Sequence, residues 1–240
     1  MLTLDFIKDI KIYQRKSGYR FSVDALLLSD FVRAGINTKL VADFGAGSGI
    51  IGILLAKKFT KPRVHLVDIQ EDLSALAKKN VEMNSLNDNI TVHTLDVRKV
   101  NGYFSQNSFD IVVSNPPFRR PVTGMTCPDT EKAIARHEIK VTFNDLVDSA
   151  FYMLKGKGKF VFIYHPARFV ETIETLRNNK FEPKRIRFIH SNTETEAKMF
   201  LMEAVKEGKP EIIIEPPLFL YEKQGVYTSE ALSIIGKTIL

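Results

Sequence analysis

The chain carries a single cysteine, Cys127, among its 240 residues. That excludes an internal disulfide framework and a cysteine-rich zinc module. No apolar run approaches the roughly 18–20 residues that a membrane-spanning helix needs, so no membrane partner is expected. The opening stretch carries Asp5 and Asp9 and has no apolar segment, unlike a secretory leader. The five histidines, His65, His93, His137, His165 and His190, show no His-x-x-x-His spacing, and no metal is expected. Internal repeats and low-complexity linkers are also missing. The expectation is a soluble, cytoplasmic, globular protein with an ordinary 44% of hydrophobic residues.

Charge is present in both signs but unevenly spread. The formal net charge is +6. Residues 155–190 hold nine Lys/Arg against three Glu, a local excess equal to that of the whole chain. Residues 191–240 are net negative, with five Lys and eight Glu. A run of this kind is either a solvated face or a surface that neutralises phosphates.

Short apolar strands alternate with amphipathic helices. Strands are predicted at 40–44, 64–68, 90–95, 109–114, 159–164, 184–190 and 198–205, and helices at 50–58, 71–84, 142–153 and 166–178. Asn144 can cap the third of these helices. The order specifies an α/β fold with a doubly wound, mostly parallel, seven-stranded sheet. The last two strands lack an intervening helix and are expected as an antiparallel hairpin at one edge. A single domain is expected over 1–240. Residues 1–38 form an N-terminal cap, 39–205 the core and 206–240 a tail packed on it. Residues 115–140 make a long loop, and such loops tend to be functional.

The first core strand runs into Asp43-Phe-Gly45-Ala-Gly47-Ser-Gly49 and then a helix. Glycines let a backbone turn sharply and approach a ligand, and the helix start offers N–H groups to an anion. Gly47-Ser-Gly49-Ile-Ile-Gly52 also fits the dinucleotide pattern, with Asp68 as ribose partner. Against this, a carboxylate at Asp43 sits awkwardly beside a pyrophosphate. It suits a ligand with an ammonium group, such as the amino-acid end of S-adenosylmethionine. Asp68 ends the second strand, where it can accept from two ribose hydroxyls or cap the next helix. Asp96 follows the third strand, placed for an adenine amino group or for a simple turn.

The fourth strand ends in Ser114-Asn115-Pro116-Pro117-Phe118. The prolines hold the backbone, leaving the Asn115 side-chain oxygen and the Pro116 carbonyl as two acceptors for a planar NH2 group. Phe118 can supply a flat surface for a ring. An exocyclic adenine amine is a poor nucleophile because its lone pair is delocalised. Two acceptors that hold its hydrogens favour a pyramidal nitrogen, and positioning contributes most of the effect.

DFGAGSG, VDIQ, LDV and NPPF, in this order, resemble the class I S-adenosylmethionine-dependent methyltransferases of the amino-methylating type, with their Rossmann-like fold. The stretch from Tyr13 to Leu28 and the segment Ala133-Ile-Ala-Arg136-His137-Glu138 resemble the bacterial tRNA1(Val) (adenine(37)-N6)-methyltransferase family. The resemblance implies that S-adenosylmethionine is held by Asp43, Gly45, Gly47, Gly49, Asp68 and Asp96, with Phe21, Ser22 and Asp24 closing over it. It implies that Asn115, Pro116, Pro117 and Phe118 bind the target base, an adenosine of a valine tRNA. Arg119, Arg120 and Arg136 are the candidates for phosphate contacts near that base, with His137 beside them. From the basic stretch, Lys155, Lys157 and Arg185 are further candidates for RNA contacts. Cys127 has no base beside it in sequence, so no nucleophilic role is expected. Two relatives share the corner: guanine-N2 methyltransferases of ribosomal RNA and glutamine-N5 methyltransferases of release factors. A non-catalytic RNA-binding protein on the same scaffold is a third alternative, against which the intact turn and corner argue.

Overall fold

The computed structural model describes residues 2–7, 9–15, 23–116 and 141–236. An N-terminal hairpin pairs β1 (Leu2–Ile7) with β2 (Ile10–Arg15), and α1 (Val23–Phe31) follows. The central sheet then builds up from β3 (Leu40–Phe44), α2 (Ile50–Lys58), β4 (Arg63–Asp68), α3 (Glu71–Met83) and β5 (Ile90–Thr94). After a 3-10 turn at Val97–Gly102 come β6 (Phe109–Ser114), α4 (Phe143–Met153), β7 (Leu154–Tyr164), α5 (Phe169–Asn178), β8 (Phe181–His190) and β9 (Ala197–Lys206). The C-terminal part adds β10 (Ile213–Ile214), β11 (Leu218–Phe219), a small hairpin of β12 (Tyr221–Lys223) and β13 (Val226–Tyr227), and α6 (Ser229–Ile235).

The described sheet has nine strands, not the seven expected, in the order β10-β8-β9-β7-β6-β3-β4-β5 with β11 also on β8. The two extra strands are two-residue segments that pair in parallel with the outer edge of β8. Each is too short to leave a periodic pattern in the sequence. The β8–β9 hairpin is antiparallel, as expected, but β9 inserts between β7 and β8. No described helix is long and apolar enough to cross a membrane.

The period-2 alternation of strand side chains sorts the core into two clusters, one on each face. Ile111, Val113, Val161 and Ile163 join the cluster that holds Ile12, Leu27, Ile53 and Ala77. Their neighbours Val112, Phe160 and Phe162 join the other, with Val147, Met153, Phe200 and Met202. Several of the 17 phenylalanines stack there edge to face, as Phe143 does on Phe162 at 5.1 Å between ring centroids. Burying each such ring stabilises the fold by about 1.5–3 kcal/mol.

Local signals set the helix ends. Thr142 rather than Asn144 caps α4: its Oγ1 accepts from the Asp145 N–H, and Asp145 Oδ2 accepts from the Thr142 N–H. This reciprocal pair is a capping box, and it starts the helix two residues earlier than an Asn144 cap would. His65 and His93 stack 5.2 Å apart, with Phe104 edge-on to both rings and Phe109 edge-on to His65. Burial, then the charges of His93 and Arg63, push His65 down to about 4, so the ring is neutral near pH 7.

Candidate active site

β3 lies between β4 and β6, and the chain runs from it to β4 and β5 on one side and to β6 and β7 on the other. That reversal opens a crevice at the carboxyl ends of the strands, where such sheets bind ligands. In register, Phe44 stands opposite Val67 of β4 and Ser114 of β6. The turn after β3, the aspartate ending β4 and the corner after β6 therefore share one edge of the sheet. Ser114 Oγ donates to the Phe44 carbonyl at 2.9 Å, tying the corner to the turn.

The turn is held from beneath. Gly45 and Ala46 donate their N–H groups to the Val67 carbonyl at 2.8 and 3.2 Å, and Gly47 donates to Asp68 Oδ2 at 2.8 Å. Gly45, Gly47 and Gly49 have φ of 71, 57 and 84°, in the left-handed region that glycine reaches without strain. Gly52, one turn into α2, serves closeness: a Cβ there would lie 2.1 Å from Leu66 Cδ2. Its N–H donates to Asp43 Oδ2 at 3.1 Å.

Asp43 is fully buried, and burial pushes its carboxyl up to about 7, with the Gly52 N–H pulling down and Asp68 pushing further up. Its Oδ1 is buried without a hydrogen-bond partner, and so is the Ser48 hydroxyl. Buried polar atoms are normally paired, and each unpaired one asks for a partner such as a ligand or a water. Two of them in one glycine turn fit a ligand that brings a donor with it. Asp68 is buried as well, and burial raises its carboxyl against the lowering effect of the Gln70 and Gly47 N–H groups. Those two donors take one lone pair on each oxygen, the Gln70 N–H reaching Oδ1 at 2.9 Å. Each oxygen keeps further acceptor capacity for a hydroxyl.

Of its two expected parts, Asp96 takes that of the turn. It caps the 3-10 turn by accepting from the Arg98 N–H, and Arg98 grips both its oxygens with Nε and Nη2, the shortest contact being 2.6 Å. Burial pushes this carboxyl up, but the hydrogen bonds and charge of Arg98 outweigh that and hold it below the usual carboxylate range. The turn role accounts for Asp96, and an adenine amine would have to compete with a guanidinium.

Asn115 is half-buried and Pro116 buried at the end of β6. Asp24 lies in the first turn of α1. Pro117, Phe118, Arg119, Arg120, Arg136, His137, Cys127, Phe21 and Ser22 lie outside the described residues.

The basic stretch needs correction. Lys155 and Lys157 open β7, at the amino end of the sheet. Ser114 aligns with Phe162 and Phe109 with Leu154, so the bulge that carries Lys155 and Lys157 lies by the start of β6, up to five residues, roughly 16 Å, before Ser114. Lys155 Nζ is paired with Asp110 at 2.6 Å, and Lys157 Nζ donates to the Glu207 carbonyl. Arg185 is buried, with Glu203 and Glu215 each at 3.1 Å, the Phe31 carbonyl at 2.6 Å and the Phe31 ring under its guanidinium. A phosphate cannot reach it. None of the three serves the carboxyl edge.

Gly52, Ser48 and Asn80 were not singled out from sequence. Gly52 was visible as the last glycine of the G-x-G-x-x-G pattern. Ser48 lies within the glycine turn, and nothing local marks Asn80. Among the described residues no cluster of three or more His, Cys, Asp or Glu side chains is arranged to hold a metal.

Comparison with known proteins agrees with this geometry. The family model described as methyltransferase small domain matches residues 22–173. A tRNA1(Val) (adenine(37)-N6)-methyltransferase of Phocaeicola vulgatus is 27% identical over 228 residues, covering 95% of this chain and 93% of that protein. Its namesake in Trichodesmium erythraeum is 28% identical over 240 residues, covering 95% and 94%. The crystal structure of a predicted O-methyltransferase from Agrobacterium tumefaciens superposes with a TM-score of 0.70 at 22% identity, covering 88% of this chain and 94% of that one. A ribosomal protein L11 methylase from Lactobacillus delbrueckii subsp. bulgaricus gives 0.54 at 18% identity, covering 77% of each chain. At these identities the two structures speak for the fold alone.

Proposed function

The chain belongs to the methyltransferase small domain family, and from that premise we propose that it methylates N6 of an adenosine in tRNA with S-adenosylmethionine. The nucleoside proposed is A37, beside the anticodon of a valine tRNA, the reaction for which its full-length relatives are named. One observation carries the reading. A glycine turn with two unpartnered buried polar atoms stands, in register, beside an Asn-Pro corner at the switch point of the sheet.

When bound, S-adenosylmethionine supplies an electrophilic methyl group on a sulfonium. The chain's residues do the rest. Asp43 offers its open Oδ1 to an ammonium, and Ser48 offers its hydroxyl beside it in the turn. Asp68 offers its remaining lone pairs to ribose hydroxyls while it holds the Gly47 N–H. Asn115 and the Pro116 carbonyl accept the two hydrogens of the adenine amine and so direct its lone pair. No strong general base is needed, because the nitrogen becomes cationic as it takes the methyl and its surplus proton then passes to water. An anticodon-loop nucleotide is poorly paired, so bringing it to the corner costs less than extruding it from a duplex.

The test is in vitro methylation of unmodified tRNA and ribosomal RNA, read by nucleoside mass spectrometry. N6-methyladenosine in a valine tRNA is expected. N2-methylguanosine in ribosomal RNA would replace this reading with the guanine one. Asn115→Ala should lower kcat by about a hundredfold or more, as loss of a positioned acceptor does, with S-adenosylhomocysteine affinity unchanged. Normal turnover by that variant would remove Asn115 from the mechanism.

A further inference from the structure

Asn80, a fully buried asparagine on α3, touches two parts of the molecule at once. Its Oδ1 accepts from the Tyr13 N–H at 2.8 Å. Its Nδ2 donates to the Tyr13 carbonyl at 3.0 Å and to the Ser48 carbonyl at 2.9 Å. Both amide hydrogens and one oxygen lone pair are thus committed. Ser48 sits between Gly47 and Gly49, both at positive φ, in the turn that holds the unpartnered Asp43 and Ser48 oxygens.

Asn84, one helical turn further on, repeats half of this pattern. Its Oδ1 accepts from the Lys11 N–H at 3.0 Å and its Nδ2 donates to the Lys11 carbonyl at 2.7 Å. Four helical residues rise about 6 Å, close to the roughly 6.8 Å between alternate residues of a strand. Two side-chain amides on the helix therefore act as a partner strand for β2. The hairpin is held further by an ion pair between Arg15 and Asp72 and by Lys79 Nζ over the Tyr13 ring at 4.0 Å. Of the two asparagines, only Asn80 also reaches the glycine turn.

We propose that Asn80 is a positioning residue that couples docking of the N-terminal hairpin to the conformation of the glycine turn. Ligand binding at the turn thereby tightens the hairpin, and a docked hairpin tightens ligand binding. The inference rests on the reading that the turn holds S-adenosylmethionine. Its physical basis is reciprocity: one buried amide serves both elements, so each biases the other by the same factor. Asn84 is the internal control, because it binds the hairpin without contacting the turn.

The experiment combines calorimetric titration of S-adenosylhomocysteine with amide hydrogen exchange of β2, on the wild type, Asn80→Ala and Asn84→Ala. In the wild type, saturation with S-adenosylhomocysteine should slow exchange at the Tyr13 amide. Asn84→Ala should raise exchange of β2 in the free protein while keeping affinity within about twofold of the wild type. Asn80→Ala should weaken affinity by about tenfold, the effect of one buried hydrogen bond. It should raise KM for S-adenosylmethionine more than it lowers kcat, and abolish the ligand-dependent slowing at Tyr13. A folded Asn80→Ala variant with wild-type affinity overturns the proposal, as does an equal loss in Asn84→Ala. The wild-type exchange measurement decides even if Asn80→Ala does not fold: unchanged exchange at Tyr13 on saturation also overturns it. A wild type that binds no S-adenosylhomocysteine at all instead overturns the cofactor reading on which this one stands.

Discussion

The turn after β3 and the β8–β9 arm both bury charge, but they treat it in opposite ways. On the arm, the Arg185 guanidinium meets Glu203, Glu215, the Phe31 carbonyl and the Phe31 ring. Only its Nε lacks a partner. Glu215 is shared with Arg33 at 2.7 Å, and Glu203 with Lys159 at 3.3 Å. Charge is matched with charge inside the chain. At the turn, Asp43 is equally buried but has one backbone donor, a neighbouring carboxylate and an oxygen with no partner. A network closed on itself serves the fold. A buried carboxylate left open costs stability and keeps an acceptor for something from outside. The contrast explains why abundance of charge in the sequence was a poor guide to where the chemistry lies.

The largest expected effect separates the two regions by sign. Asp43→Asn keeps the shape but removes the charge that burial disfavours. It should weaken S-adenosylhomocysteine binding by about a hundredfold, the worth of a charge-assisted contact. It should also stabilise the free protein above pH 7, by an amount on the order of 4 kcal/mol. The sign follows from the raised carboxyl. Between pH 4 and about 7 the folded protein holds a proton on Asp43 that the unfolded chain has lost, so stability falls as pH rises through that window. The gain from Asp43→Asn should accordingly vanish near pH 4, where the wild-type group is already protonated. Urea titrations at pH 4 and pH 8 check this, and equal gains at both values would contradict it.

Arg185→Met should act the other way. Removing one partner of a buried network costs about 3 kcal/mol, held to that end of the range because Arg33 and Lys159 still face the two glutamates. The urea midpoint should fall while affinity for S-adenosylhomocysteine, per folded molecule, stays unchanged. A variant with normal stability and weakened tRNA binding would return Arg185 to the substrate surface. The smallest effect is expected at Asp96. Asp96→Ala should cost about 1 kcal/mol, the value of a capping residue, and shift cofactor affinity less than threefold. A tenfold loss by calorimetry would show that the carboxylate leaves Arg98 to meet the ligand.

Much of this architecture was legible in the chain. Ile50–Lys58 and Phe109–Ser114 appear with the bounds expected, because a glycine turn precedes the first and prolines end the second. Legibility failed where a residue's partner is distant. Asp110 meets Lys155, 45 residues away, and Lys206 meets Asn107, 99 residues away. Asn80 meets Tyr13 across 67 residues. Asp96 shows a nearer failure: its partner is two residues on, but whether Arg98 turns back to it or outward is not written in the spacing.

By itself the sequence determined the succession of strands and helices, the turn rich in glycine and the corner rich in proline. These follow from backbone conformation and from periods of 2 and 3.6 residues, which are local properties. Only the tertiary structure decided which charges are consumed and which are left open. It paired Lys155 with Asp110 and Arg185 with Glu203 and Glu215, gave Asp96 to Arg98, and left Asp43 with an oxygen to spare. The reason is that desolvation and pairing depend on neighbours that folding alone brings within a few ångströms.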